Sequence, residues 1–174
     1  MRRFILTGGA LVAASAAWAA EPSGCDKFKW PIDRERAILR SEPLKVESGA
    51  TAAPASTQPV RIALRPAAEA QLPTPPERAP RSSDTYAGYI RLPAPPTAGT
   101  YTISLSAAAW LDAVQDGKPL KTVAFSGATD CDGIRKVVTF ALQAAPLVVQ
   151  VSGMAANSIT VAVTPASARP ASAR

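Results

Sequence analysis

Histidine is absent from this chain, and that absence sorts the chemistry open to its remaining polar residues. A serine or cysteine hydrolase needs an imidazole to take and return a proton near neutral pH. Zinc hydrolases and mononuclear iron oxygenases bind their metal largely through imidazoles. Both routes are closed, and there is no glycine-rich phosphate loop or dinucleotide fingerprint. Carboxylates remain. Asp112 and Asp116 lie on or beside a predicted hairpin, and Asp130 and Asp132 flank Cys131. Two such acids facing one another would serve a glycosidase-like acid/base pair, but Asp116-Gly117 and Asp132-Gly133 are turn dipeptides, and turning is the role preferred for them. Asp130-Cys131-Asp132-Gly133 also has the outline of a calcium loop, whose hard cation wants several oxygens. It runs on into Ile134-Arg135-Lys136 instead of a further acid, so Asp130 and Asp132 are the weak metal alternative and no cofactor is expected. Ser126 and Lys136 would make a Ser-Lys pair only if the fold joined them.

Aromatic residues are the better handle, because a sugar-binding sandwich offers flat rings beside hydrogen-bonding groups. In Gly88-Tyr89-Ile90-Arg91-Leu92, Tyr89 and Arg91 share one face of a predicted strand, opposite Ile90 and Leu92. Trp110 is the third residue of this candidate ligand surface. Core packing is the preferred reading for Trp110 and Trp30 taken alone. The basic residues are scattered, with a loose group at Arg78, Arg81 and Arg91. A nucleic-acid site would want them on one face, so nucleic acid is not an expected partner.

The N-terminus supplies a compartment. Arg2-Arg3, the apolar stretch Phe4 to Trp18 and the small residues of Ala17-Trp18-Ala19 have the three parts of a cleavable secretory signal. Cleavage is expected after Ala19, giving a periplasmic or secreted protein with no transmembrane segment. Removing 19 of the 174 residues leaves 155, with 17 basic and 13 acidic side chains. Lipidation at Cys25, after Ser23-Gly24, is the lesser alternative, since Pro22 replaces the aliphatic residue that signal wants. Export places Cys25 and Cys131 where disulfides persist. Pairing is the expectation, with two free thiols the competing reading.

The elements that must position these residues follow from periodicity. Pro31 suits a first helical turn, Asp33 and Glu35 favour its positive end and Arg36 and Arg40 its negative end, which predicts a short helix over Ile32 to Arg40. Between Pro43 and Pro96 lie 11 of the 17 prolines, so this half reads as extended connection with edge strands at Val60 to Arg65 and Tyr86 to Leu92. Beyond Gly99, apolar and polar residues alternate. Tyr101, Ile103 and Leu105 point one way, and Thr102, Ser104 and Ser106 point to a wet face. Trp110 to Gln115 turns at Asp116-Gly117 into Lys118 to Phe125. Three more strands follow at Ile134 to Leu142, Leu147 to Val151 and Ile159 to Val163. Seven or eight strands without intervening helices predict an all-β, antiparallel, jelly-roll-like β-sandwich carrying one short N-terminal helix. The expected divisions are a signal peptide at 1–19, helix and proline-rich linker at 20–57, sandwich at 58–165 and a disordered tail at 166–174.

Cys25 to Arg36, Gly88 to Leu92, Trp110 to Lys118 and Asp130 to Lys136 together resemble a group of small secreted bacterial proteins of unknown function. Some of these bear the name homogentisate 1,2-dioxygenase. That enzyme class resembles a cupin holding iron with two histidines and a glutamate, and this chain has no histidine to supply, so the resemblance implies export and not that chemistry. The expected function is a non-enzymatic exported module binding a glycan or another envelope component. A structural or chaperone-like partner of an envelope complex is the first alternative, which an exposed sheet edge or apolar patch would favour. A carboxylate-based hydrolase is the second.

Overall fold

The structure, a computed structural model, describes residues 21–54, 58–80 and 82–166. The expected signal peptide at 1–19, residues 55–57, Arg81 and most of the expected tail at 166–174 lie outside them. Eleven strands form two sheets. The larger sheet has six, β1 (Leu44–Glu47), β2 (Val60–Ala63), β5 (Gly99–Leu105), β8 (Thr122–Gly127), β9 (Lys136–Leu142) and β11 (Ser158–Pro165), in the order β1-β2-β11-β5-β9-β8. The smaller has β3 (Arg65–Pro66), β4 (Tyr86–Leu92), β6 (Trp110–Gln115), β7 (Lys118–Pro119) and β10 (Leu147–Met154), in the order β3-β4-β10-β6-β7. Their inner faces meet over one apolar core that includes Ile62, Ile90, Ile103, Leu105, Phe140 and Val149. This is the all-β sandwich expected, and the strand orders describe it more fully than the jelly-roll label.

All strand pairings are antiparallel except β1 with β2, which run parallel in the register Leu44↔Val60 to Glu47↔Ala63. Here the structure departs from the expected linker. Residues beyond β1 then cross to the other sheet, where Gly49 and Ala52 donate backbone hydrogen bonds to Tyr89 and Arg91 of β4. Residues 44–52 therefore belong to the sandwich and close its β1–β3 side, giving extended backbone a ladder although no strong alternation advertises it.

Asp116 and Gly117 both have positive φ, 51° and 70°, as a tight hairpin turn requires. The strand expected from Lys118 to Phe125 is broken in two. Pro119 stands at a non-hydrogen-bonded position opposite Val114, Leu120 donates a last bond to the Ala113 carbonyl at 2.8 Å, and the chain then leaves β6 and re-enters the opposite sheet as β8.

The helix α1 spans Asp33–Arg40 with Ile32 at its N-terminal boundary, as predicted. It lies on the outer face of the six-stranded sheet. Phe28, Ile32, Ile38 and Leu39 pack there with Cys131, Ile134, Val137 and Ala162 in a second core, and Trp30 rests half-buried against it. Thr102 and Ser104, expected on a wet face, are instead 4% and 0% exposed. Alternation reveals which residues share a face, not whether a helix later covers it.

A disulfide joins Cys25 to Cys131 across 106 residues of sequence. Beside it, Arg36 Nε donates to the Asp132 carbonyl at 2.8 Å, and Arg40 pairs with the Asp132 carboxylate. Gly133, at φ +83°, lets the loop pass beneath Arg40, since a Cβ there would lie 2.9 Å from Nε. Replacing both cysteines with serine is expected to lower stability by about 4 to 5 kcal/mol, the loop-closure contribution for a ring of this size, as read by urea unfolding. A loss below about 1 kcal/mol would mean that the apolar contacts and arginines hold α1 without the bond.

Candidate functional site

Trp110 is positioned by β6 on the outer face of the five-stranded sheet, with Asp112 two residues on. In register, Ser152 pairs with Trp110, and Gln150 pairs with Asp112 on one side and Tyr89 on the other. Trp110 Nε1 donates to Asp112 Oδ1 at 2.8 Å, and Gln150 Nε2 donates to Asp112 Oδ2 at 3.3 Å. The proline-rich segment crosses above. Gln150 Nε2 also donates to the Thr74 carbonyl at 3.0 Å, and the Thr74 amide donates to Gln150 Oε1 at 3.4 Å. Farther along, Arg78 stands 5.7 Å from the Trp110 ring centroid, and Lys136 Nζ approaches that ring at 5.3 Å. Two cations thus share one indole.

Burial shapes the electrostatics of this cluster. Asp112 is 5% exposed, and desolvation pushes its carboxyl pKa above the ordinary 3.8 despite hydrogen bonds from Trp110, Gln150 and the Glu77 backbone. Lys136 has its pKa lowered from 10.5, chiefly by burial and then by Arg135 and Arg78, with Asp112 and Glu21 opposing. A buried acid with a raised pKa is a familiar sign of a functional site. In this one, however, the Asp112 oxygens already accept bonds from the indole, an amide side chain and a backbone amide, so the carboxylate acts as a fastener for residues 74–78.

Tyr89 and Arg91 share the outward face of β4 as predicted, and they engage one another. The Arg91 guanidinium lies 4.8 Å from the Tyr89 ring centroid, its Nη2 donates to the Tyr89 hydroxyl at 3.3 Å, and its Nη1 donates to the Gly49 carbonyl at 2.7 Å. Trp110 is on the same face but separated from them by β10, whose Gln150 lies under Thr74. The three candidate residues do not converge on one platform.

The other candidates are also resolved by register. Ser126 pairs with Val137 and Gly127 with Lys136, so Ser126 and Lys136 point to opposite faces of the sheet. Ser126 Oγ instead accepts the Lys29 amide at 2.9 Å. Asp130 accepts from Ser23 Oγ at 2.6 Å while Asp132 holds Arg40. No group of three His, Cys, Asp or Glu side chains suited to a metal occurs among the described residues.

Two depressions among the described residues are unsuited to a sugar. A shallow groove of about 290 Å³ runs beside Lys45, Glu47 and Arg61 without an aromatic residue. A cavity of about 190 Å³ opens between the sheets at the end rimmed by Pro93, Pro95 and Pro96, its walls Ile90, Leu147 and Val161.

Sequence reasoning passed over β8. Val123 and Phe125 are the two large apolar side chains exposed among the described residues, at 56% and 57%, and both lie on this edge strand. Phe125 pairs with the core residue Val138, so it faces inward, but β7 opposite ends after two residues and leaves it uncovered. The signal was available in Thr122-Val-Ala-Phe-Ser-Gly127, six consecutive residues with neither charge nor proline.

Compared with protein-family models, curated proteins and solved structures, the chain finds no match.

Asp112 carries a pH signature. Because its folded-state pKa lies above 3.8, the folded state holds that proton more tightly than the unfolded state does. The associated stability is full below 3.8 and is lost as pH rises through the folded value. Asp112→Asn should therefore gain stability relative to the parent as pH climbs through this window, whatever its constant offset, measured by urea unfolding across the acid range. Parallel profiles would mean the carboxyl titrates normally.

Proposed function

We propose that this is an exported, non-enzymatic module that binds a protein component of the cell envelope, adding an extended strand of it to the edge of β8. The observation that carries the reading is the contrast among the four sheet edges. β1 bears Lys45 and Glu47, β3 bears Arg65 and Pro66, and β7 bears Lys118 and Pro119. Charge and proline are the usual devices that keep an edge strand from pairing with other chains. β8 carries neither. Its one irregularity is a bulge at Val123, after which Ala124 to Gly127 pair regularly with β9. Among the described residues no strand pairs with the outer edge of Thr122–Gly127, and residues 22–24 bond to that edge only beyond its end, at Thr129.

Strand addition draws affinity from main-chain hydrogen bonds and specificity from alternate side chains. Phe125 and Val123 supply the apolar contacts. Export is supported by the N-terminal sequence and by a Cys25–Cys131 bond of the kind that persists in oxidising compartments. No helix among the described residues is long and apolar enough to cross a membrane. A glycan is the less favoured ligand because Arg91 occupies the face of Tyr89 and Trp110 stands apart from both.

The test places a photoactivatable phenylalanine at position 125 in the native envelope, with a matched probe at Lys45 on β1. One discrete protein should crosslink from position 125 and not from position 45, and the purified partner should bind Val123→Lys/Phe125→Lys at least tenfold more weakly. Both substitutions are at exposed positions, so stability should change by no more than about 0.5 kcal/mol each. Equal crosslinking from the two edges, or unchanged affinity of the double variant, would overturn the reading.

A further inference from the structure

The charges bordering β8 specify what kind of strand it accepts, an inference that rests on the docking reading above. From Gly117 to Thr129 the chain contains Lys118 and Lys121 and no aspartate or glutamate. Lys121 immediately precedes the strand and is exposed. From the other side, Lys29 Nζ reaches to 5.0 Å from the Phe125 ring centroid, held there because its own backbone amide is bonded to Ser126 Oγ. Lys27 also lies nearby in sequence, but it is paired with Asp26 at 2.7 Å.

We infer that β8 accepts an extended segment of another protein in which acidic residues flank an alternating apolar stretch, with Lys29 and Lys121 as the residues that select it. Two physical arguments converge. Opposite charge placed at the rim of an apolar contact steers encounter and fixes register, while like charge disfavours the wrong partner. Lys29 also opposes self-pairing, because a two-fold axis near Phe125 would bring the two copies of Lys29 together beside an uncharged strand. The edge is therefore open to an acidic strand and guarded against a second copy of this chain.

The experiment uses the disulfide-bonded mature chain, isotopically labelled, and three synthetic eight-residue peptides with the same alternating valine and threonine centre, flanked by aspartate, serine or lysine. Backbone amide resonances of Thr122 to Gly127 are followed during titration. The aspartate peptide should shift them with at least fivefold higher affinity than the serine peptide, and the lysine peptide should bind most weakly. Lys29→Ala/Lys121→Ala should bring the aspartate peptide down to the serine peptide's affinity without weakening the latter, and 0.5 M salt should do the same by screening. Equal affinity of aspartate and serine peptides would overturn the charge selection while leaving strand addition standing. Failure of all three peptides to move the β8 amides would remove the docking reading and this inference with it.

Discussion

The bond between Cys25 and Cys131 ties the segment that gives the larger sheet its second buried face. A sandwich needs to bury only the facing sides of its two sheets, yet here the outer side of the six-stranded sheet is buried too. The disulfide brings the N-terminal segment onto that side, and Phe28, Ile32, Ile38 and Leu39 meet Val137 and Ala162 there. Arg36 and Arg40 then grip the loop carrying Cys131. Arg34 reaches the carbonyl of Pro165 at the end of β11. Covalent bond, apolar contact and hydrogen bonds act on one short helix that would not persist alone.

The smaller sheet is covered by different means. Its outer side receives the proline-rich segment through Gln150 and Asp112, and polar bonds do there what apolar packing does beneath α1. Gln150 is fully buried, and such a group is tolerable only with its hydrogen bonds made. Thr74 and Asp112 make them. Residues 49–52 add backbone bonds to β4. Along β8 the cover is thinner: Lys29 meets Ser126 and residues 22–24 meet Thr129 just beyond it, while Val123 and Phe125 stay exposed.

Much of this was legible in the residues. The Asp-Gly turn, the amphipathic helix beginning after Pro31, the alternating strands beyond Gly99 and the cysteine pairing each follow from local rules or from counting to two. What could not be read is non-local. Nothing near Thr102 or Ser104 announces that a helix sixty residues earlier will bury them. Thr74 gives no sign that it will meet Gln150, and Trp110 gives none that Arg78 and Lys136 will share its ring. Asp116-Gly117 announces the hairpin, but nothing local shows that the chain will leave β6 beyond Leu120 for a different sheet. The candidate ligand face suffered most from this. Tyr89 and Arg91 were rightly placed side by side, but alternation could not show that each would satisfy the other.

The position of β11 has a consequence for the order of events after synthesis. The last of the described strands lies in the interior of the six-stranded sheet, between β2 and β5, and it carries Ala162 of the surface that receives α1. The seat of α1, formed also by Cys131, Ile134 and Val137, is therefore incomplete until β11 has arrived. Until then β1 and β2 have no lateral connection to β5, β9 and β8, and the apolar side of α1 is covered only in part. Assembly of this sheet is necessarily a closing event rather than a sequential one, governed by contacts distant in sequence and correspondingly slow. A nascent chain that has not yet delivered Ser158–Pro165 therefore cannot complete this sheet.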